Sequence, residues 1–582
     1  MIKNIHIPLY VYKGITHNHK EFPQKWTLFG GDTETYDGNP VCFQVSNGKW
    51  TDLIPVNKDN ILDKFLMYME KRIYSGCVNA IYFHNLIFDI SVIFNKFQKE
   101  FIGKNEINIS YKGININIVY GKVCFGNIKY PENKTLKILD SYAFFLNYSL
   151  EKLCNELETK HKKLKKPDGL GKKNLIDNEY FINYAKQDAL CQYEVAEKIF
   201  EQYRKYNVRI CVSLPHFASR IFRHYFLREN DIIKFPCTAL AYASVKSYHG
   251  GKNGLYVKGT TIIDNCYEYD IKSAYPFAMT KIPNFLKGKY KFFNNYTDKY
   301  EGIYCVSGKI NNCKYPVLFS HDFKPITGKF ENIWVTSYEL KSALKYKEVE
   351  LSNIYGWLWI PEKTDYNPFK EFVYHFYKEK EIAKNSCDRL TAKLIMNSLY
   401  GKLVQTIDKS DNFKDILPNF SIKGNVFVEN SKNIFLAGRM FNPFIATLIT
   451  GFVRAYIHKY EHKYSSIHTS TDSIKTIVKP DYNDLGNELG KLNIVVKGKC
   501  YIFRNKLYLH YDDNNNLKKY ALHGFMGNSE QLLKMYNDKK YEYNVTHIFK
   551  IKEGLRQNKI PAKMYELKKT LKGVDFTNVN II

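Results

Sequence analysis

Two hydrophobic patterns alternate over about the first 200 residues of the chain. The segments WTLFGGDTETY, AIYFHNL and LKILDSYAFF are short apolar runs, which predict strands or strand ends. The segment FINYAKQDALCQYEVAEKIFEQY has apolar positions at helical spacing and predicts a long helix. A basic stretch, HKKLKKPDGLGKK at 161–173, interrupts the pattern as an exposed loop. This alternation indicates an α/β domain.

The pattern changes near Tyr248-His-Gly-Gly251, where paired glycines predict a tight, exposed backbone. The apolar strand CYEYDIKSAYP follows. The later patterns predict, in chain order, short strands with Asn, Gly and Pro turns (about 283–367), a helical pair (about 368–400), a polar hairpin-like segment (405–436), a helix (442–460), a hairpin (465–478), more strands and a lysine-rich tail. We therefore expect a multidomain protein that combines α/β and α+β regions.

Composition and charge restrict the functions that are possible for this chain. A chain of 582 residues exceeds what one core usually organises, and 45% hydrophobic residues make burial ample. The net charge is +28, from 86 Lys and Arg against 58 Asp and Glu. Such an excess indicates a polyanionic partner, with nucleic acid first and an acidic membrane surface second.

Several protein classes are disfavoured. The longest apolar run, 440–453, has 14 residues and includes Asn442, Pro443 and Gly451, so no segment reaches the roughly 20 residues that span a bilayer. The N-terminus lacks the apolar core of a signal peptide. Twelve scattered cysteines form no C-x-x-C pair, which argues against zinc ribbons and disulfide frameworks and suits a reducing cytoplasm.

Four acids of the first region can form a metal site. Asp32 and Glu34 are two residues apart, which on a strand is one face. Asp89 follows, and Asp188 lies one helical turn after Tyr184. Four carboxylates at one point repel strongly unless cations neutralise them. Two magnesium ions about 4 Å apart would do so and would polarise a water, oriented by Tyr184, for phosphodiester hydrolysis. Taken singly, each acid reads more simply as a surface charge.

The residues around Asp89 suit a single-stranded substrate. Rings beside phosphate-binding groups can stack on splayed bases, and this motif contains Tyr82, His84, Asn85 and Phe88. For Tyr82 and Phe88 the alternative is packing in the core.

The segment KLIMNSLYGK predicts a nucleotide-binding helix. Lys393, Asn397 and Tyr400 fall at i, i+4 and i+7, on one helix face, and Gly401 is expected to end the helix. A cation for a phosphate beside a flat ring for a base or sugar suits a nucleotide. The alternative is a solvated amphipathic helix.

Two further acids can form a second metal site. Asp270 ends an apolar strand and Asp472 lies at the turn of the predicted hairpin, so both can share a pair of ions that activate a primer 3′-hydroxyl and brace a triphosphate. The phosphates would rest on Lys393 and on the backbone after Asp270, and Tyr275 would pack under the sugar and exclude a 2′-hydroxyl. Lys506 and Tyr508, on one strand face, suit the primer backbone, unless that strand is simply exposed.

The ordered set D-x-E (32–34), N-x-x-F-D (85–89) and Y-x-x-x-D (184–188) resembles the motifs of proofreading 3′→5′ exonucleases attached to DNA polymerases. After it come Y-x-G-G, D-x-x-S-x-Y-P, K-x-x-x-N-S-x-Y-G, T-D-S and K-x-Y, in the order of a family B DNA polymerase. The compact length and the spacers resemble the protein-primed branch found in phages and linear plasmids. The resemblance spans about residues 28–510.

The resemblance implies a DNA-directed DNA polymerase with a 3′→5′ exonuclease that starts from a terminal protein. It also implies Mg²⁺ or Mn²⁺, dNTP substrates, primer-template and single-stranded DNA, a monomer, no membrane partner, and the cytoplasm of a host cell. The backbone of Ile271 is expected at a metal ion. The nucleotide is expected to meet Ile271, Ser273, Tyr275, Lys393, Asn397 and Tyr400. DNA is expected to meet Tyr82, His84, Asn85, Phe88, Ser141, Tyr248, Gly250, Gly251, Ser398, Gly401, Thr471, Lys506 and Tyr508.

The fold implied is a ribonuclease H-like exonuclease domain plus a right-hand polymerase domain with two insertions. The expected ranges are 1–205 for the exonuclease, 206–282 and 438–535 for the palm, 283–367 for an insertion that contacts the terminal protein, 368–403 for the fingers, 404–437 for an insertion that serves strand displacement and processivity, and 536–582 for the thumb.

Some features depart from the family or stay open. Ser470 stands where the usual D-T-D motif has its first acid, so we infer that Asp270 and Asp472 are the direct ligands. Ser141 is followed by Tyr142 rather than the family's Leu. A second lysine for the triphosphate is Lys378, Lys380 or Lys384. Two alternatives are a family B polymerase that uses an ordinary nucleic-acid primer and a non-catalytic DNA-binding protein on a degenerate polymerase scaffold.

Overall fold

The computed structural model describes residues 14–121, 123–165, 167, 175–234, 236, 238–311, 313–405, 420–423, 426–429 and 438–582. Two eight-stranded sheets organise the described chain, one in its first part and one in its second part. Among the described helices, none combines the length and the apolar character that a bilayer crossing requires.

The first large sheet lies within residues 26–140 and is mixed. Its strands, from edge to edge, are Thr51–Pro55, Asn39–Ser46, Trp26–Tyr36, Val78–Phe83, Thr135–Asp140, Cys124–Lys129, Ile114–Tyr120 and Glu106–Tyr111. The three central strands run parallel and their outer neighbours antiparallel. The helices of this part are Ile61–Glu70, Ile87–Ile93, Leu150–Glu156 and Glu179–Lys205, with a 3₁₀ segment at Asn95–Phe101. The expected α/β domain is therefore present.

The second large sheet places the strand Thr260–Ile271 at its centre. Its order is Lys252–Leu255, His468–Thr471, Ser473–Thr476, Thr260–Ile271, Leu492–Arg504, Leu507–Tyr511 and Leu517–Leu522, all antiparallel, and Val579–Ile581 pairs parallel with the central strand. The adjoining helices are Leu214–Tyr225, Thr238–Ser247, Ala274–Lys281 and Pro443–Lys463. The last of these begins at Asn442, whose side chain accepts a bond from the Ile445 N–H, with Pro443 in the first turn.

Smaller units complete the described chain. A four-stranded antiparallel sheet has the order Gly288–Phe293, Val349–Pro361, Glu301–Ile310 and Gly328–Thr336. A helical pair, Pro368–Ile382 and Ser386–Ser398, leads into a 3₁₀ segment at Tyr400–Val404. The remaining elements are the strand pairs Gly14–Thr16 with Ile232–Lys234, Phe420–Lys423 with Val426–Glu429, and Glu542–Ile548 with Met564–Thr570, and the helices Ser529–Asn537 and Ile551–Arg556.

The structure adds two features that the sequence analysis did not predict. The region 283–367 contains a helix, Ser337–Lys345, which begins with a capping box between Thr336 and Glu339. The range 536–582, expected to be the thumb, ends in the strand Val579–Ile581, which joins the second large sheet. Most of the predicted insertion 404–437 lies outside the described residues.

Candidate active sites

Three of the four acids of the first predicted metal site converge on one point. Carboxylate oxygens of Asp32, Glu34 and Asp188 lie within 4.8 Å of one another. The first two leave one face of the strand Trp26–Tyr36, and Asp188 comes from the long helix Glu179–Lys205. Asp32 and Glu34 therefore share the strand face that their spacing predicted, and the long helix brings Asp188 to them.

The helix can approach this strand because residue 30 is glycine. A Cβ atom on Gly30 would lie 2.2 Å from the backbone nitrogen of Tyr193 and 2.5 Å from the carbonyl oxygen of Ala189. Ala189 directly follows Asp188, so this backbone contact sets the distance between Asp188 and the strand. A side chain at residue 30 would push Asp188 away from Asp32.

Asp89 joins the cluster beside Asp32. The hydroxyl of Thr33 donates a hydrogen bond of 2.8 Å to Asp89 Oδ1. Burial, followed by repulsion from Glu34 and Asp188, raises the pKa of Asp32 well above its usual range. Burial and the neighbouring Asp32 raise the pKa of Asp89 in the same way. An acid cluster of this kind fits divalent cations such as Mg²⁺, which prefer oxygen ligands and favour the ionised carboxylates.

Tyr184 and Lys163 lie beside Asp188. Burial, followed by the charges of Glu34 and Asp188, raises the pKa of Tyr184, which lies beside Asp188 as the helical spacing predicted. Lys163 forms an ion pair with Asp188, and its Nζ lies 5.3 Å from the centre of the Tyr184 ring. Its positive charge opposes the rise in the pKa of Asp32 that burial causes. Sequence analysis missed Lys163 because it lies in the basic stretch expected to be an exposed loop; no local signal separated it from the neighbouring lysines.

Two residues expected to contact single-stranded DNA are internal. Tyr82 is 0% exposed, and its hydroxyl lies 3.4 Å from that of Tyr203, so the alternative of core packing is correct. Ser141 is also 0% exposed; its hydroxyl lies 3.0 Å from His84 Nδ1 and 3.2 Å from the carbonyl oxygen of Phe83. Neither side chain is available to DNA, because Tyr82 points inward from the strand Val78–Phe83 and Ser141 is buried directly after the strand Thr135–Asp140. Ser141 instead orients His84.

The other residues near Asp89 are closer to the surface. Asn85 is exposed and left-handed, with φ 62°, and Phe88 and His84 are partly buried. Burial lowers the pKa of His84 to about 4, which keeps the ring neutral. Asp140, which sequence analysis missed, accepts backbone bonds from Asn85 (3.0 Å) and Tyr142 (2.9 Å). Asp140 therefore holds the turn that leads into the helix of Asp89.

Asp270 lies near the end of the strand Thr260–Ile271, and Asp472 lies at the turn between the strands His468–Thr471 and Ser473–Thr476, the second of which pairs with Thr260–Ile271. Asp270 pairs with Ser473 in the ladder, and the Ile271 N–H donates a 2.9 Å bond to the carbonyl oxygen of Asp472. Burial, followed by repulsion from Asp472, raises the pKa of Asp270 to about 7. Burial also raises the pKa of Asp472, and the charge of Lys519, another residue that sequence analysis missed, opposes both shifts. Two partly buried, mutually repelling carboxylates fit shared divalent cations.

Some of the residues predicted to bind a nucleotide are arranged as expected near these acids, and others are not. Tyr275 and Tyr400 stack on each other, with ring centres 4.3 Å apart and planes 4° apart. Lys393 is exposed, and its carbonyl oxygen accepts a 2.7 Å bond from the Asn397 amide. Ser273, with φ 52°, precedes the helix of Tyr275. Because the side chain of Ile271 is 0% exposed, only its backbone is available to a metal or phosphate.

The predicted nucleotide-binding helix ends earlier than expected. The α-helix ends at Ser398, and Tyr400 begins a 3₁₀ segment that includes Gly401. Gly401 is therefore not a left-handed helix cap, although it is exposed. The Ser398 hydroxyl donates a 2.6 Å bond to the carbonyl oxygen of Leu394, within its own helix.

The Tyr248–Gly251 loop packs against the hairpin of Asp472. A Cβ atom on Gly251 would lie 2.4 Å from Cγ2 of Thr471, which is left-handed with φ 60°. The buried Arg454 donates bonds to the carbonyl oxygens of His249 (2.6 Å) and Gly250 (3.0 Å) and to Glu339 Oε1 (2.7 Å). Arg454 thus fixes this loop from the helix Pro443–Lys463. Nothing in the local sequence marked this arginine.

Lys506 and Tyr508 do not share a strand face, which corrects the sequence-based prediction. The strand begins at Leu507, and Lys506 occupies the turn before it with φ 59°. Tyr508 is 3% exposed, and Nζ of Lys475 lies 3.9 Å from its ring centre. Lys475 forms a buried ion pair with Glu268, which also pairs with Lys519 at 2.5 Å. Tyr508 therefore packs on a buried charge network next to Asp270.

The three candidate lysines of the helical pair differ in their surroundings. Lys380 is 9% exposed, pairs with Glu381 at 3.0 Å and lies 4.5 Å from the ring centre of Tyr377. Lys378 and Lys384 are exposed. The two exposed lysines are the better placed for a phosphate.

Sequence comparison relates this chain to viral and organellar polymerases. A family model described as DNA polymerase type B, organellar and viral, matches residues 156–419. Probable DNA polymerases of Agaricus bitorquis and Neurospora intermedia are 28% identical over 249 residues and 30% identical over 247 residues, in each case 38% of this chain. A protein of Escherichia coli named primer-independent DNA polymerase PolB is 27% identical over 233 residues, or 36% of this chain. The chain covers 29%, 24% and 24% of these three relatives, respectively.

Structural comparison covers nearly the whole chain. The structure of phi29 DNA polymerase complexed with primer-template DNA and incoming nucleotide substrates superimposes with a TM-score of 0.68 over 94% of this chain and 100% of that chain, at 16% identity. The complex of phi29 DNA polymerase with single-stranded DNA gives a TM-score of 0.67 over the same shares. The fold is thus that of phi29 DNA polymerase, and the expected multidomain fold class is confirmed.

Proposed function

We propose that this protein is a DNA-directed DNA polymerase with a 3′→5′ proofreading exonuclease, which replicates a linear genome from a protein primer. One observation carries the proposal: a single chain with this fold holds two separate acid clusters, Asp32, Glu34, Asp89 and Asp188 on the first sheet and Asp270 and Asp472 on the second. Pairs of Mg²⁺ ions, or Mn²⁺ in their place, would when bound activate the attacking oxygen and stabilise the leaving oxygen at each cluster.

At the polymerase site, each side chain has a distinct task. Asp270 and Asp472 hold the metal ions, and the exposed Lys393 neutralises phosphate charge. The stack of Tyr275 on Tyr400 forms a rigid wall for the sugar, and this wall excludes a 2′-hydroxyl. Ser470 is a supporting residue, because Asp270 on the central strand and Asp472 at the hairpin turn already supply the two acids.

At the exonuclease site, the acids hold metal ions and Tyr184 orients the attacking water. Lys163 supplies positive charge next to Asp188, where negative charge develops on the phosphate being cleaved. The exposed Asn85 and partly buried Phe88 are placed to receive the end of a single strand.

The two acid clusters predict separable defects. Asp472→Ala should abolish primer extension while degradation of single-stranded DNA continues. Asp32→Ala with Asp89→Ala should abolish degradation while extension continues. A primer-extension assay with magnesium, run on a template with a downstream blocking strand, reports synthesis, editing and displacement together. Loss of both activities in either variant, with the fold intact by circular dichroism, would refute the two-site assignment.

The source of the primer is tested separately. We infer a terminal protein as primer, with residues 283–367 as its contact surface and 404–437 as the segment for displacement and processivity. The E. coli relative, named as primer-independent, favours a second candidate in which synthesis starts without a primer. One labelled nucleotide, supplied with template and either a partner protein, a hydroxyl-ended primer or neither, distinguishes protein-linked, primer-linked and free products.

A further inference from the structure

A separate group of metal-ligand side chains joins the helix Pro443–Lys463 to the four-stranded sheet. His458 and His462 lie one helical turn apart, and Nε2 of each is close to the same oxygen, Oε1 of Glu348, at 3.2 Å and 3.0 Å. The two Nε2 atoms are 3.1 Å apart. The side chains of His458 and Glu348 are 0% and 6% exposed, and that of His462 is 26% exposed, which leaves a path from solvent.

The spacing of these three atoms matches a tetrahedral metal site. A zinc ion bonded at about 2.0–2.1 Å keeps its ligand atoms about 3.3 Å apart along each tetrahedral edge. The three observed distances, 3.2, 3.0 and 3.1 Å, form one nearly equilateral face of such a tetrahedron. Two imidazole nitrogens and a carboxylate are a ligand set that zinc accepts and that magnesium and calcium do not favour.

The surroundings orient the rings for this role. Ser342 Oγ lies 2.8 Å from Nδ1 of His458; in the tautomer in which Nδ1–H donates to this oxygen, Nε2 keeps its lone pair for a metal ion. The ring of His462 stacks on Tyr346, with centres 3.8 Å apart and planes 5° apart. The charge of the Glu348 carboxylate contributes, after burial, to the raised pKa of the nearby Cys313 thiol.

We propose that Glu348, His458 and His462 bind a zinc ion that links the four-stranded sheet to the helix Pro443–Lys463. Glu348 directly precedes the strand Val349–Pro361 of the four-stranded sheet, whereas both histidines belong to the helix that also carries Arg454. The metal would therefore link two parts of the chain that are 110 residues apart in sequence. Its role is structural and independent of the proposed polymerase activity.

The test measures bound metal rather than catalysis. The full chain, without a histidine tag and in the Asp32→Ala, Asp89→Ala background that removes a competing acid site, is loaded with zinc, dialysed and analysed by mass spectrometry. We expect stoichiometric zinc, a tetrahedral visible spectrum after cobalt exchange, and a lower melting temperature in chelator. His462→Gln, at the most exposed of the three ligands, should lose all three signals. His375→Gln should keep them, because His375 is an exposed histidine one turn from Glu379.

Two results would overturn the proposal. One is the absence of zinc from the parent protein together with a melting temperature that chelator does not change, which is the behaviour of two imidazoles that simply donate to one carboxylate oxygen. The other is zinc that persists in both His462→Gln and His458→Gln, which shows that the metal is bound elsewhere, for example by the buried group Cys266, Cys500 and His510, or is adventitious. If the variant of the fully buried His458 fails to fold, His462→Gln alone tests the proposal.

Discussion

The contact between Gly251 and Thr471 predicts a sharp difference between two adjacent glycines. In Gly251→Ala, the new methyl group would lie 2.4 Å from Thr471 Cγ2 and 2.9 Å from its Cβ and Oγ1. Thr471 must move, and with it Asp472, which follows it in the chain. At Gly250 an added Cβ meets no heavy atom within 4 Å.

The size of the expected loss of activity follows from the steric clash at residue 251 and from the resulting shift of Asp472. Inserting a methyl group into a packed contact costs about 1–3 kcal/mol, and a shift of about 1 Å in a catalytic group can cost about 100-fold in rate. We therefore expect Gly251→Ala to lower kcat/KM for nucleotide incorporation about ten- to a hundredfold. Gly250→Ala, which reports the loss of a glycine without the clash, should have a much smaller effect.

Single-turnover primer extension measures this effect, and degradation of single-stranded DNA by the same preparation is the internal control. Thr471→Ser removes the methyl group nearest to the new side chain and eases the left-handed conformation, so the Gly251→Ala, Thr471→Ser double variant should recover part of the activity. Equal losses in both glycine variants, or no recovery in the double variant, would show that Gly251 acts through a direct contact with DNA instead.

Three further predictions concern charge. Burial raises the pKa of Asp270 from 3.8 to about 7, so the metal-free folded protein loses stability from this group as the pH rises between these two values. Magnesium binds the ionised acid, so it should raise the melting temperature more at about pH 8 than at about pH 6, and Asp270→Asn should reduce that difference. Lys163→Met should lower exonuclease activity about tenfold or more while primer extension stays unchanged, and an equal loss in extension would contradict its place at the first acid cluster. Arg454→Met leaves Glu339 buried without its partner, so urea unfolding should show a loss of about 3–5 kcal/mol, and a loss below about 1 kcal/mol would refute the buried ion pair.

Local spacing accounts for what could be predicted about the sites. Asp32 and Glu34 share a strand face, Tyr184 and Asp188 share a helix face, and Asp472 lies at a hairpin turn; each relation needs only a period of two or one helical turn. The order of these motifs along the chain then carried the resemblance to family B polymerases. Apolar runs likewise predicted the three central strands of the first large sheet, and the central strand and the hairpin of the second.

Tertiary contacts decided the rest, because they join residues that local periodicity cannot relate. Lys163 meets Asp188 across 25 residues, and Arg454 meets the carbonyl of Gly250 across 204. The sequence likewise did not show that Tyr82 and Ser141 point inward, since that depends on which face of the sheet the helices cover. The sequence by itself therefore determined which acids belong together in each motif, whereas packing alone decided which cations and hydrogen-bond donors surround them.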